Sequence, residues 1–339
     1  MTHQQRLIVT IAVLFLSVVV RVEPPWAQTK LTIGYAAVSP RTTPLYLAQE
    51  QGIFSKYGLD PKIVLVRAAA TLVATLISGE MDVGYTGGTS VLGAAGQGSY
   101  LKILSSISNT LTHTLVAHPS IKRAEELRGK RFGIQNPGGT TWINTVLALE
   151  HVGLEPKRDN INLMAIGDSV LVGQALEAGR VDAAVLDGAL VRRLRSRGFA
   201  TIAELQPAKI PMLNQAIVVS PEFLQKRSDV AEKLLMTLVE SLAYSAAPAN
   251  KVVVIKTMMR RFQISDPLVA EEGYQDYLSS VERRPIPMPE GLRNIRRLMA
   301  TLNPKIASVK VEELIDSGLI RKLEENGFVD KINASYGLK

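Results

Sequence analysis

The chain contains no cysteine. That absence excludes disulfides, thiolate metal sites and cysteine nucleophiles together. It also excludes a lipid-modified cysteine behind an export signal. The four histidines are scattered without metal-ligand spacing, so no metal and no other cofactor is expected. Helix-turn-helix and aromatic RNA-binding patterns are missing, and the net charge of +8 is not gathered into a Lys/Arg tail. No nucleic-acid partner is expected. The basic surplus fits an anionic small ligand or a negatively charged environment.

Long apolar runs are scarce too. Residues 7–20 form the one such run, entered after Arg6 and interrupted only by Thr10 and Ser17. It is short for a membrane span of roughly twenty residues and matches a signal-peptide core. Pro24 and Pro25 break it, and Ala27 ends the expected signal segment, 1–27. Pro25 stands where a small residue is usual, and an uncleaved anchor is the alternative. The remainder reads as soluble. Exported and without a lipid anchor, the protein is expected in a periplasm, as a monomer.

What is present is a repeat. Gly58-Leu59-Asp60-Pro61-Lys62 recurs as Gly153-Leu154-Glu155-Pro156-Lys157, and Gly79-Glu80-Met81-Asp82-Val83 as Gly179-Arg180-Val181-Asp182-Ala183. Each second copy lies about one hundred residues on, with a helical apolar pattern before it and an apolar strand after it. Such repetition implies two α/β lobes built alike. At 339 residues the chain is long enough for two domains with buried cores. In open α/β sheets, ligands bind at the carboxyl ends of the strands, so two facing rims suggest a closing cleft.

The periodicity predicts strands at 30–36, 62–66, 81–85, 101–107 and 113–118. It predicts helices at 45–54, 69–78 and 121–127. In the second copy, a helix follows at 142–151, a strand at 162–166, a helix at 169–178 and a strand at 181–186. A strand at 216–219 returns to the first lobe. Beyond it the pattern is almost wholly helical, with 230–244 the clearest helix and Pro285, Pro287 and Pro289 breaking the tail. The expected division is 30–112 plus 218–339 for one lobe and 118–213 for the other, with the C-terminal helices packed on the first.

These residues carry a resemblance. Ile33-Gly34-Tyr35, Pro44-Leu45-Tyr46-Leu47-Ala48 and Gly52-Ile53-Phe54 resemble the opening of ABC-transporter solute-binding proteins of the nitrate/sulfonate/taurine type. Leu76-Ile77-Ser78-Gly79-Glu80-Met81-Asp82-Val83-Gly84 and Ala124-Glu125-Glu126-Leu127-Arg128-Gly129-Lys130-Arg131-Phe132-Gly133 are similar to later segments of the same family. The resemblance implies a type II periplasmic binding fold: two doubly wound α/β lobes hinged by two crossover strands. It also implies a receptor that hands a small molecule to a membrane permease. The pyrimidine synthases of this fold look to cysteines and histidines for iron, and porphobilinogen deaminase holds its cofactor through cysteine. Neither device exists here.

The candidate ligand residues lie in loops after strands. Gly138, Gly139, Thr140 and Thr141 open a helix whose N–H groups and dipole suit an anion, or simply cap it. In that resembling family the equivalent loop lines the cleft. Gly87, Gly88, Thr89 and Ser90 hold the same place in the first lobe. Ser39, Arg41 and Thr42 follow the first strand, where Arg41 could clamp a planar anion or be a solvated arginine; Arg67 is a weaker version. Asp187 could accept from a ligand amine or hydroxyl, or cap a turn. Asn109, His113 and Asn214 lie near the crossovers, although a lone histidine is more often packed or solvated. Asp82 and Asp182 recur in both lobes and read as structural, and the run Arg192, Arg193, Arg195, Arg197 reads as a solvated face.

Three functions compete. A receptor for a small anionic organic ligand leads. An exported enzyme of the same fold would need a nucleophile, base or metal set, and none is evident. A sensor partner of a membrane kinase would use the same cleft.

Overall fold

The computed structural model describes residues 28–36 and 38–338; the expected signal segment lies outside the described residues. Ten strands follow one another as β1 (Thr29–Tyr35), β2 (Leu59–Leu65), β3 (Val83–Thr86), β4 (Lys102–Thr110), β5 (Thr114–Ala117), β6 (Arg131–Ile134), β7 (Asn162–Ala165), β8 (Ala183–Leu186), β9 (Ala200–Glu204) and β10 (Pro211–Val219). They make two five-stranded sheets, ordered β2-β1-β3-β10-β4 and β7-β6-β8-β5-β9. The sheets share one plan. The second strand, β1 or β6, is parallel to both its neighbours, with Ile33 opposite both Ile63 and Val83 in one and Phe132 opposite Leu163 and Ala183 in the other. β10 and β5 run antiparallel to both their neighbours, so the outer strands β4 and β9 point the same way as the parallel three.

The repeated sequence does the same work twice. Gly79 and Gly179 follow helices α2 (Ala69–Ser78) and α5 (Ser169–Glu177) with φ of 80° and 68°, a left-handed backbone that favours glycine. Three residues later the aspartates tie the next strand to β1 or β6. The Asp82 carboxylate accepts the Thr32 N–H at 2.7 Å, and Asp182 accepts the Arg131 N–H at 2.8 Å. Salt bridges to Arg227 and Arg131 complete the two positions.

The chain passes between the sheets twice, at residues 111–113 and 205–210. The two passages are bonded side by side, Leu111 N–H to Ile210 O at 2.9 Å and Leu205 N–H to His113 O at 3.1 Å. Ten further helices complete the set used below: α1 (Thr43–Glu50), α3 (Gly88–Ala95), α4 (Thr140–His151), α6 (Gly188–Ser196), α7 (Ser228–Ala246), α8 (Lys251–Phe262), α9 (Pro267–Ser280), α10 (Pro289–Ala300), α11 (Gly318–Glu325) and α12 (Phe328–Ser335). Helices cover both faces of each sheet. Side chains of α1, α7, α11 and α12 pack on one face of the first sheet. A second core joins α3 and α10 to Ile143, Val146 and Leu147 of α4, so it runs continuously past both passages. The third core lies under α5 and α6.

Three strands are longer than their apolar patterns predict. β2 begins at Leu59 and accommodates Pro61 because it is an edge strand, where a missing N–H costs least. β4 extends past the expected 107 to Thr110 through the buried Ser108 and Asn109, whose polarity hides the extension. β10 begins at Pro211, and register shifts against β4 interrupt its alternation. The helix expected at 121–127 is a shorter 3-10 helix, Ala124–Leu127.

Candidate functional site

Four loops at the carboxyl ends of β1, β3, β6 and β8 meet between the sheets. The β1 loop makes a 3-10 turn, Pro40–Thr42, that carries Arg41. Ser39 and Thr42 close this turn on themselves: Thr42 Oγ1 donates to Ser39 O at 2.5 Å and accepts the Ser39 N–H at 3.1 Å. The Tyr85 hydroxyl of β3 donates to Arg41 O at 2.7 Å and fixes the turn from below. Arg41 then reaches across to the other sheet. Its Nη2 lies 2.9 Å from Asp187 Oδ1, and its Nη1 lies 3.4 Å from Thr112 Oγ1. Their side chains are 11% and 29% exposed.

Asp187 stands at the N-cap of α6 but makes no side-chain cap bond there. Its Oδ1 is shared with His113 Nε2 at 3.2 Å. His113 is buried on the first passage, and the Asn144 amide nitrogen of α4 lies 3.1 Å from the same Nε2. Burial works to raise the Asp187 carboxyl, but Arg41 and His113 outweigh it and hold it down at about 2. Burial pushes the His113 imidazole below its usual value, with Arg41 adding to the effect against the pull of Asp187. The cluster is therefore an Arg⁺/Asp⁻ pair beside a neutral histidine near pH 7.

Next to it, two helix starts face each other. Thr89 Oγ1 in the first turn of α3 lies 2.8 Å from Thr140 Oγ1 in the first turn of α4. Gly87 and Gly139 are the N-caps, so neither helix has a side-chain cap. Gly87 has a steric reason to be glycine: a Cβ there would sit 2.7 Å from Asn214 O. Ser90 pairs with Thr86 at 3.3 Å, and Thr141 Oγ1 accepts the Gln135 N–H at 2.7 Å. Gly138 holds a φ of 76° against Leu302, and Gly88 packs on Leu292 and Ile295 of α10.

Of the residues singled out from sequence, Arg41, His113 and Asp187 thus form one cluster, with the Thr89–Thr140 contact as a second bridge between the sheets. Asn109 and Asn214 lie apart from it in their bonding. Asn109 binds Ile286 O and Met288 N–H at 2.9 and 3.2 Å, and Asn214 donates to Thr110 O at 2.8 Å. Arg67 is exposed.

Two residues escaped the sequence reading. Asn144 carries a readable signal, since it lies four residues after Thr140 on α4 and so shares its helix face. Arg192 was hidden in a charge run. Arg193, Arg195 and Arg197 fit the expected solvated face, pairing with Glu177 and Glu204. Arg192 instead crosses to α9, where it pairs with Glu272 at 2.6 Å and with Asp276. On the α4 side of the molecule, Arg297 of α10 bonds both oxygens of Glu150 at 2.8 and 2.7 Å.

Among the described residues no helix is long and apolar enough to cross a membrane. A Brucella abortus protein named as a binding protein is 26% identical over 213 residues, 59% of this chain. The chain spans 64% of that relative's length, just under two thirds. The periplasmic aliphatic sulphonate binding protein SsuA from Escherichia coli superposes with a TM-score of 0.68 at 16% identity, over 85% of this chain and 92% of its own. The periplasmic nitrate-binding protein NrtA from Synechocystis PCC 6803 gives 0.64 at 14%, over 91% and 90%. The fold is accordingly that of the periplasmic binding proteins. The NMT1/THI5 like family matches residues 39–250, more than half of the sequence, and the chain belongs to that family.

Proposed function

We propose that this protein is the solute-binding receptor of an ABC importer and captures a small anionic organic molecule, a sulfonate or carboxylate, between its two sheets. The observation that carries the reading is Arg41, a permanently charged fork brought to a rim where α3 and α4 begin without side-chain caps. A guanidinium beside helix N-termini favours anions by charge and by hydrogen-bond geometry. The units built on the two sheets act as the lobes, and closure turns on the paired passages at 111–113 and 205–210. The Arg41–Asp187, Thr89–Thr140 and Arg192–α9 contacts support this, because each joins one sheet's unit to the other's.

The names of the relatives and neighbours support a binding role over a catalytic one. The cleft chemistry agrees, since His113 faces Asp187 and Asn144 rather than a nucleophile. Delivery to a permease and export to the periplasm, with cleavage after Ala27, complete the proposal. A thermal-shift screen of sulfonates, carboxylates and inorganic anions tests it. At least one organic anion should stabilise the wild-type chain and fail to stabilise Thr140→Trp, whose side chain would fill the approach to α4. A screen in which only cations or neutral sugars stabilise the protein would overturn the anion assignment.

A further inference from the structure

Asp187 Oδ1 has two cationic candidates, and only one of them is always charged. Arg41 Nη2 stands 2.9 Å away and His113 Nε2 3.2 Å away. While Arg41 balances the carboxylate, His113 needs to serve only as a neutral donor. A carboxylate at that distance places the neutral ring's proton on Nε2. Nδ1 is then a buried lone pair, and it has no partner among the described residues. Asn144 Oδ1 is likewise buried without a partner, and a half-turn of that amide brings it to the Nε2–H.

An anion that takes the Arg41 fork changes this balance. The cluster goes from a matched pair to one net negative charge in a shielded place, where an uncompensated charge is costly. The charged groups facing His113 are Asp187 from the start of α6 and Arg41 from the turn after β1; Asn144 from α4 and Thr112 beside it are neutral. Tyr85, which holds the Arg41 turn, has its hydroxyl pushed far above its usual range by burial and stays neutral. The group within reach that can restore neutrality is the unpartnered Nδ1.

We propose that anion capture at Arg41 is coupled to uptake of one proton by His113. The coupling rests on the anion reading above. In the free protein the imidazole is neutral; in the complex it becomes the cation that pairs with Asp187. The proton comes from solvent and adds to Nδ1, with no bond broken in the ligand. Affinity should therefore rise as pH falls between the imidazole's bound and free pKa values, by up to about tenfold per pH unit.

The test uses the full chain with ¹⁵N-labelled histidine and arginine, and methanesulfonate as probe. Without ligand, His113 should be neutral near pH 6.5 in the wild type and in Arg41→Lys. It should be protonated in Arg41→Gln, where Asp187 has lost its other cation, and neutral again in Arg41→Gln/Asp187→Asn. A neutral His113 in folded Arg41→Gln would overturn the coupling. Should that variant not fold, the wild type decides. Methanesulfonate binding should take up close to one proton, read from the dependence of the binding enthalpy on buffer ionisation, and none in Asp187→Asn. Binding that shifts the Arg41 side-chain signal with no proton uptake refutes the coupling and leaves the anion reading standing. No shift of Arg41 with methanesulfonate or with any organic anion of the screen above refutes the anion reading, and the coupling with it.

Discussion

Replacing Asp187 with Asn removes one charge and almost no volume, so it isolates the bridge between the sheets. The Asp187 carboxyl is held at about 2 rather than 3.8, against the opposing pull of its burial, by Arg41 and His113. That difference corresponds to roughly 2 kcal/mol of folding free energy. Because the folded value is the lower one, the stabilisation is complete above about pH 4 and is lost as pH falls through about 2. Asp187→Asn lacks it at every pH and leaves the Arg41 guanidinium, 11% exposed, without its partner. Urea unfolding at pH 7, 4, 3 and 2 reads the effect. The variant should be less stable by about 2 kcal/mol at pH 7 and 4, and the two proteins should converge near pH 2. Other carboxylates held low, such as Asp159 and Asp182, titrate in both proteins and cancel in the difference. Curves that stay parallel from pH 7 to 2 would refute the claim that Arg41 and Asp187 stabilise one another.

Two further outcomes follow from contacts away from the cluster. Arg192→Ala removes the link from α6 to Glu272 and Asp276 of α9. It should enlarge the radius of gyration in small-angle scattering while changing global stability by no more than about 1 kcal/mol; an identical scattering curve would count against a clasp at that position. Glu240→Gln should destabilise the fold by about 1–3 kcal/mol in urea unfolding, because its carboxylate accepts from Lys56, Tyr57 and Tyr336 and so ties the end of α12 to α7. No loss of stability would show that the three donors are equally well satisfied by water.

Much of the architecture is legible in the sequence because the repeat is physical. The Gly79/Gly179 and Asp82/Asp182 pairs each perform one local task, a left-handed turn followed by a carboxylate tied to the neighbouring strand, β1 or β6. What escapes is polar structure. β4 ends in the buried polar residues Ser108 and Asn109, so its full length does not show in apolar alternation. The candidate site is legible to the level of loops, since Arg41, Thr89, Thr140 and Asp187 all follow strand ends. Their pairing is not, because Arg41 and Asp187 are 146 residues apart and no local pattern encodes a bond between sheets. Arg192 was missed for the same reason: its carboxylates come from a distant helix, and its neighbours in sequence are solvated.

Calorimetric titration of wild type and Arg41→Ala with the same organic anion tests the central claim most directly. Arg41→Ala should remove a charge-assisted contact worth about 1.5–3 kcal/mol, or roughly ten- to hundredfold in affinity. Equal affinity in the two proteins would contradict capture of an anion at Arg41 and place the ligand elsewhere.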